Sequence, residues 1–260
     1  MAQLAEPPAA SLQTEPAKRE RTLTLADHLE ELRRRLALCL IVLVAAVGVS
    51  FTQAERIIGW LRRPAEGLLP RFAFFTPTEP LLAYFKVSIM AGVILTMPVV
   101  LSQIWGFVRS GLTWRERYYG FAFIAWGSLL FVTGVAFAYY WLLPVSLKVL
   151  LGVGRGVLEP VVSINTYLAF VTGLAFWCGI VFEIPIVLFL LAKVGVVTPE
   201  WLRQSRSYAI LVIFIIAAVV TPTTDPVNMI LMAIPMVALY EVSIWVTRFA
   251  IRRPPHGGRS

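Results

Sequence analysis

Thr24-Leu25-Ala26-Asp27-His28-Leu29-Glu30-Glu31-Leu32-Arg33-Arg34-Arg35-Leu36 is the most charge-dense stretch of a very apolar chain. Leu25, Leu29, Leu32 and Leu36 recur at helical spacing and form one stripe. Thr24 followed by Asp27 is a helix start. Glu30 stands four residues before Arg34, and Glu31 four before Arg35, the favourable orientation for helical ion pairs. Between Arg35 and Glu55 come 19 uncharged residues, enough for a spanning helix. The stretch is therefore an amphipathic helix on a membrane surface that feeds directly into a first span. The plainer alternative is a positively charged anchor that only sets topology.

Composition agrees. Only 15% of the 260 residues are charged, against about 25% in an average soluble domain. A net charge of +8 in a soluble chain would suggest nucleic acid. Here the basic residues flank apolar runs, so topology and anionic lipid explain them, and no nucleic-acid partner is expected. Residues 1–22, rich in Ala, Pro and Glu, read as a disordered N-terminal tail without a secretory signal. Residues 23–250 make a six-span membrane domain, and 251–260 a polar C-terminal tail.

After the first span, residues 54–79 hold Arg56, Arg62, Arg63, Pro64, Pro70 and Pro77, a structured loop with an interfacial helical piece. Thr78-Glu79-Pro80 starts a helix whose uncharged part, Val87 to Val108, is a second span. Lys86 lies near its start and can snorkel outward as an interfacial anchor. A polar loop with Arg109, Arg115, Glu116 and Arg117 leads to a third run, Tyr118 to Leu147, with aromatic residues at both ends. Residues 144–164 read as a second long loop. A fourth span, Asn165 to Leu191, is interrupted by Glu183 and Pro185. Thr198-Pro199-Glu200 is an N-cap with Pro first. The fifth run, Ser207 to Thr221, has only 15 residues. The sixth, Val227 to Val246, carries Pro235, and both of these last spans read as short.

Six spans put both ends on one side. That side carries sixteen Lys and Arg residues and the other six, so the positive-inside rule places both termini in the cytoplasm. Cys39 and Cys178 lie within apolar runs and read as reduced packing residues, while His28 and His256 lie outside the spans. Without histidines in a span, and without His-Glu-x-x-His or Gly-x-Ser-x-Gly, an intramembrane enzyme is excluded, and no catalytic residue, metal or cofactor is expected. A secondary transporter or channel is the alternative function. It would need several ionisable groups converging at mid-depth, where this chain has Glu183.

The segment His28 to Leu36 resembles the N-terminal signature of the TatC family, the large integral-membrane subunit of the twin-arginine protein translocase. Other segments resemble the same family in the same order. They are Gln103-Ile104-Trp105-Gly106-Phe107, Gly111 to Arg117, Phe182-Glu183-Ile184-Pro185 and Arg206-Ser207-Tyr208. Thr221-Pro222, Asp225-Pro226, Ala233-Ile234-Pro235 and Tyr240-Glu241 complete the set, which covers about residues 22–253. One departure is Asn228-Met229 after the Asp-Pro turn, where the family often has Ser-Gln.

The resemblance implies an all-α, multi-pass protein of the cytoplasmic (inner) membrane. It implies a receptor for signal peptides bearing two adjacent arginines. That receptor assembles with TatA- and TatB-type single-span partners, in a complex with further copies of itself, and exports folded proteins using the proton-motive force. It puts signal-peptide binding on Glu31 and Glu116, with Arg33, Phe107 and His28 nearby in the motifs. Carboxylates suit that task because they accept a guanidinium in a planar, bidentate way. The bland alternatives are an ion pair from Glu31 to Arg35, and neutralisation of Glu116 by Arg115 and Arg117. Glu183 is about 15 Å inside its span, counted from Lys193, a depth at which a charge is costly and read as functional. With Thr221 and Asp225 it makes the partner-binding or intramembrane polar set, and its own alternative is a protonated side chain bonded to loosened backbone. Pro64 and Pro185 are structural, Pro185 as a kink. Capping or packing is an equal reading for His28, Phe107, Pro64 and Asp225.

Overall fold

The computed structural model describes residues 25–69, 72–108, 120–152, 161–193, 195–221 and 225–250. The opening stretch and the first span form one unbroken helix, α1, Leu25–Phe51. Its leucine stripe faces away from the protein, with Leu29, Leu32 and Leu36 all exposed. Of the two expected ion pairs, Arg35 to Glu31 forms. Glu30 and Arg34 are both exposed and form no ion pair with each other, as expected where water repays so little of the ordering cost.

The interfacial piece is α2, Ala54–Arg62, ending in a 3-10 turn, Arg63–Ala65, that contains Pro64. Helix α3, Glu79–Val108, starts where Thr78-Glu79-Pro80 predicts and runs through Pro98. Helix α4, Gly120–Phe137, passes through a π turn, Ala138–Leu142, into α5, Leu143–Leu150. Residues 144–150 are thus helix, and the expected loop 144–164 begins later. Pro144 does not stop the chain because it falls in the first turn of α5, beside the π turn, where a missing N–H is tolerated.

Helix α6, Ile164–Phe182, is capped by Ser163, whose Oγ accepts from the Asn165 N–H at 3.2 Å. It is interrupted at Glu183 and resumes as α7, Ile184–Lys193, with Pro185 in the first turn of α7. Thr198 caps α8, Pro199–Gln204, as its sequence indicates. Helix α9, Arg206–Val220, has 15 residues, and α10, Pro226–Ala250, has 25. Only the fifth span is short; the sixth is not. α10 continues beyond the expected Val246 to Ala250, Glu241 within it is paired with Arg206 at 2.7 Å, and Pro235 leaves the helix intact.

Among the described residues, five helical segments are long and apolar enough to cross a bilayer, and α9 is a shorter apolar helix. Half of the most apolar part of α6–α7 is buried, against 6% of that of α1, so α6 is the hub and α1 the rim. α1 packs on α3, α3 also on α4 and α6, α7 and α9 on α10. Glycines set the closest crossings. A Cβ on Gly92 of α3 would meet Val47 of α1 at 2.6 Å. Gly134 of α4 lies against the Cys178 carbonyl of α6, and Gly179 of α6 against the Phe131 ring of α4, each leaving only 2.6 Å for a Cβ. Buried hydroxyls such as Thr96 and Thr172 bond back to carbonyls one turn earlier, which keeps polar atoms satisfied in an apolar medium.

Opposite the N-terminus of α1, two short parallel strands, β1 Phe72–Ala73 and β2 Val162–Ser163, tie the loops together. Ser163 donates to Glu79 at 2.6 Å and Lys86 to Asn165 at 2.7 Å. Lys86 is therefore held by a neighbouring helix as well as lying near its span's end.

Candidate functional site

Three places gather the residues singled out from sequence. The first is the junction of α1 with the last turn of α3. Arg35 of α1 donates through Nη1 to the Gln103 carbonyl at 2.8 Å, and through Nη2 to Glu31 Oε1. A cation is favoured near the C-terminal end of a helix. Gly106 makes the approach possible, since a Cβ at that position would collide with the Arg35 guanidinium. The guanidinium is thus clamped between two helices and presents Glu31 at their junction. The Arg35 side chain is 17% exposed and that of Glu31 39%, so the carboxylate is half-shielded and engaged through one oxygen.

Phe107 is half-buried one residue beyond Gly106. Trp105 is buried against Phe123, ring centroids 5.2 Å apart, and its indole covers Gly120. So the two ends of the loop between α3 and α4 both anchor at Trp105, beside the Arg35 clamp. Arg33 is exposed on the far side of α1. His28 belongs to α1, but its side chain lies outside the described residues, as does the whole of Glu116. Sequence reasoning missed Gln103 and Gly106 as the seat of Arg35. Both lie in a quoted motif, but nothing local says that a residue 68 positions earlier will dock there.

The second place is Glu183, at the break between α6 and α7. It is 6% exposed, and neither carboxylate oxygen has a hydrogen-bond partner among the described residues. Its Oε2 faces Gly127 of α4, where a Cβ would come to 3.3 Å, with Leu101 of α3 beside it. Its backbone still joins the two helices: its N–H donates to Ile180 and its carbonyl accepts from Val187, each at 3.0 Å. The alternative of a side chain bonded to loosened backbone therefore does not occur. Gly127 was not singled out from sequence, because a lone glycine in an apolar run carries no signal of what approaches it.

The third place is the turn between α9 and α10. Thr221 is buried and donates to the Ala217 carbonyl, closing α9. Asp225 caps α10, accepting from the Asn228 N–H at 2.8 Å and from Asn228 Nδ2 at 3.0 Å. The capping alternative for Asp225 is what the geometry displays, and Asn228, in place of the usual Ser-Gln, serves that cap. Glu31 and the α9–α10 turn lie at opposite ends of their helices, with Glu183 between, so these are three sites and not one.

Residues 27–235 match the family model of TatC, the Sec-independent protein translocase protein. The TatC protein of Aquifex aeolicus is 39% identical over 235 residues, 89% of this chain and 97% of that protein. That of Carboxydothermus hydrogenoformans is 34% identical over 230 residues, 88% of this chain and 95% of that one. A crystal structure of the twin-arginine translocase receptor TatC superposes with a TM-score of 0.78 at 38% identity, covering 86% of this chain and 100% of that one. With its apolar helices and its match over most of its length, the chain belongs to the TatC family and is a multi-pass membrane subunit of the Sec-independent protein translocase.

Proposed function

We propose that this subunit is the signal-peptide receptor of its translocase, and that it recognises two adjacent arginines through Glu31 and Glu116. The observation that carries the reading is the clamp on Glu31. Arg35, seated on the Gln103 carbonyl and over Gly106, fixes one oxygen of that carboxylate and leaves the other half-exposed. A carboxylate offers about four acceptor positions, so Glu31 can keep Arg35 and still accept an incoming guanidinium. Glu116 is four residues before Gly120, whose packing on Trp105 belongs to the same junction. Both ends of the chain face the cytoplasm in this reading, on the strength of the sixteen-to-six basic asymmetry.

Glu183 is the docking point for a polar group of a TatA- or TatB-type single-span partner. A buried carboxyl without a hydrogen-bond partner among the described residues supports that role. The assembled complex then moves folded cargo at the expense of the proton-motive force. A photo-crosslinker at position 116 in native membranes tests the receptor role. A signal peptide with two adjacent arginines should be captured, and its twin-lysine counterpart should not. Equal capture of the two, or of neither, rejects the reading.

A further inference from the structure

At the end of the molecule opposite Glu31, a cavity of about 520 Å³ opens between α1, α2, α3, α4 and α6. Its walls are apolar, with Met90, Ala91, Ile94 and Leu95 on α3 and Val132 and Val135 on α4 among the lining residues. From Val87 to Leu95 the wall runs about 12 Å along α3, close to the ~15 Å depth of one leaflet's hydrocarbon. Ser50 at the end of α1 contributes to the wall, but its Oγ is buried and has no hydrogen-bond partner among the described residues. Serines elsewhere in these helices bond back to their own helix, as Ser88 and Ser128 do.

The rim is cationic. Gln53, Ile57, Trp60 and Leu61 of the α1–α2 segment line the opening. Arg56 donates to Gln53 at 3.1 Å, and the Arg63 guanidinium lies 5.9 Å from the centre of the Trp60 ring. Arg56 lies three residues from Gln53 and four from Trp60, so it flanks the lining residues of α2 without itself lining the cavity. Exposed arginines over an amphipathic interfacial helix attract anionic headgroups.

We propose that this cavity binds one anionic phospholipid. The phosphate sits between Arg56 and Arg63, and one acyl chain fills the apolar part. The order cation, then apolar wall, matches the order phosphate, then chain, in such a lipid, whereas an apolar partner helix would not use the arginines. The site is independent of the proposed signal-peptide receptor role.

Native mass spectrometry of the full chain, released from nanodiscs with equal phosphatidylglycerol and phosphatidylcholine, tests it. The wild type should retain one phosphatidylglycerol at several-fold excess over phosphatidylcholine. Ala91→Trp fills the cavity and should lose the retained lipid. Arg56→Gln combined with Arg63→Gln leaves the cavity open, and should still retain a lipid but with a ratio near one. Size-exclusion profiles matching wild type establish that the variants are folded, and Ala136→Leu, a smaller filling, should weaken retention if Ala91→Trp misfolds. The proposal is overturned if the wild type retains no lipid, if the filled variants retain it equally, or if the charge variant keeps its preference. It is overturned too if a photo-crosslinker at Val135 captures a single-span protein in native membranes in place of lipid.

Discussion

Arg35 shows how one side chain joins two elements. Its guanidinium reaches α3 only because Gly106 has no side chain, and its remaining donors orient Glu31. Gly106→Ala should therefore displace the flexible Arg35 tip from the Gln103 carbonyl and cost about 0.5–1.5 kcal/mol, the worth of one hydrogen bond. Thermal unfolding in detergent measures the loss, and signal-peptide affinity should fall with it. An unchanged melting temperature and affinity would mean that the clamp matters to neither. The sequence announced the Glu31–Arg35 pair through its spacing of four, but not the Gln103 seat, because that bond depends on how two spans cross. Glu183 was legible for a simpler reason, a single acid deep in an apolar run. Its neighbour Gly127 was not, since only packing places it there. If Glu183 bonds to a partner helix, Glu183→Gln should keep most export activity, because an amide still hydrogen-bonds. Glu183→Ala should weaken partner crosslinking partially, as interhelical bonds are worth about 0.6–2 kcal/mol, while signal-peptide binding stays intact. Equal partner crosslinking in wild type and Glu183→Ala would count against the docking role.

At the scale of elements, hydropathy placed the helices and local chemistry misplaced some of their ends. Thr198-Pro199 and Glu79-Pro80 marked true starts, since caps are local. Pro144 was misread as the start of a loop because a π turn, which no periodicity reveals, lets α4 pass into α5. The sixth run reads as ending at Val246, whereas α10 continues to Ala250. Helix α9 remains short in fact as well as in sequence. Its 15 residues span about 22 Å, against a hydrocarbon core of about 30 Å. Mismatch costs only fractions of a kcal/mol per Å, so the bilayer should thin beside α9 instead of unfolding it. Spin labels placed singly along 207–220, read by depth-dependent accessibility, should report an apolar thickness well under 30 Å. A normal thickness there would remove the idea, and α9 would then have to be extended by its flanking residues.

Across the whole molecule, the helices form a tiered packing in which α6 is buried and α1 touches little besides α3. The apolar surface of α1 and α9 that a soluble protein would have to cover is left to lipid and partners. In the proposed orientation, single cysteines replacing Ser11 and Gly257 should label only from the cytoplasmic side. Labelling from outside would reverse the topology and separate Glu31 from any cytoplasmic peptide. With that orientation, the receptor role rests on two carboxylates meeting two guanidiniums in a partly desolvated place. An exposed ion pair is worth only about 0.2–1 kcal/mol, too little to demand two consecutive arginines. Removing one partner of a half-buried bidentate pair costs about 2–5 kcal/mol, which suffices. The most direct measurement is the affinity of the purified protein for a labelled twin-arginine signal peptide, with a twin-lysine peptide as control. Glu31→Gln and Glu116→Gln should each weaken binding at least about tenfold, about 1.4 kcal/mol, with the protein still folded and the twin-lysine peptide bound poorly by all. If both variants bind as the wild type does, or if the twin-lysine peptide binds the wild type equally well, these two glutamates are not the recognition site.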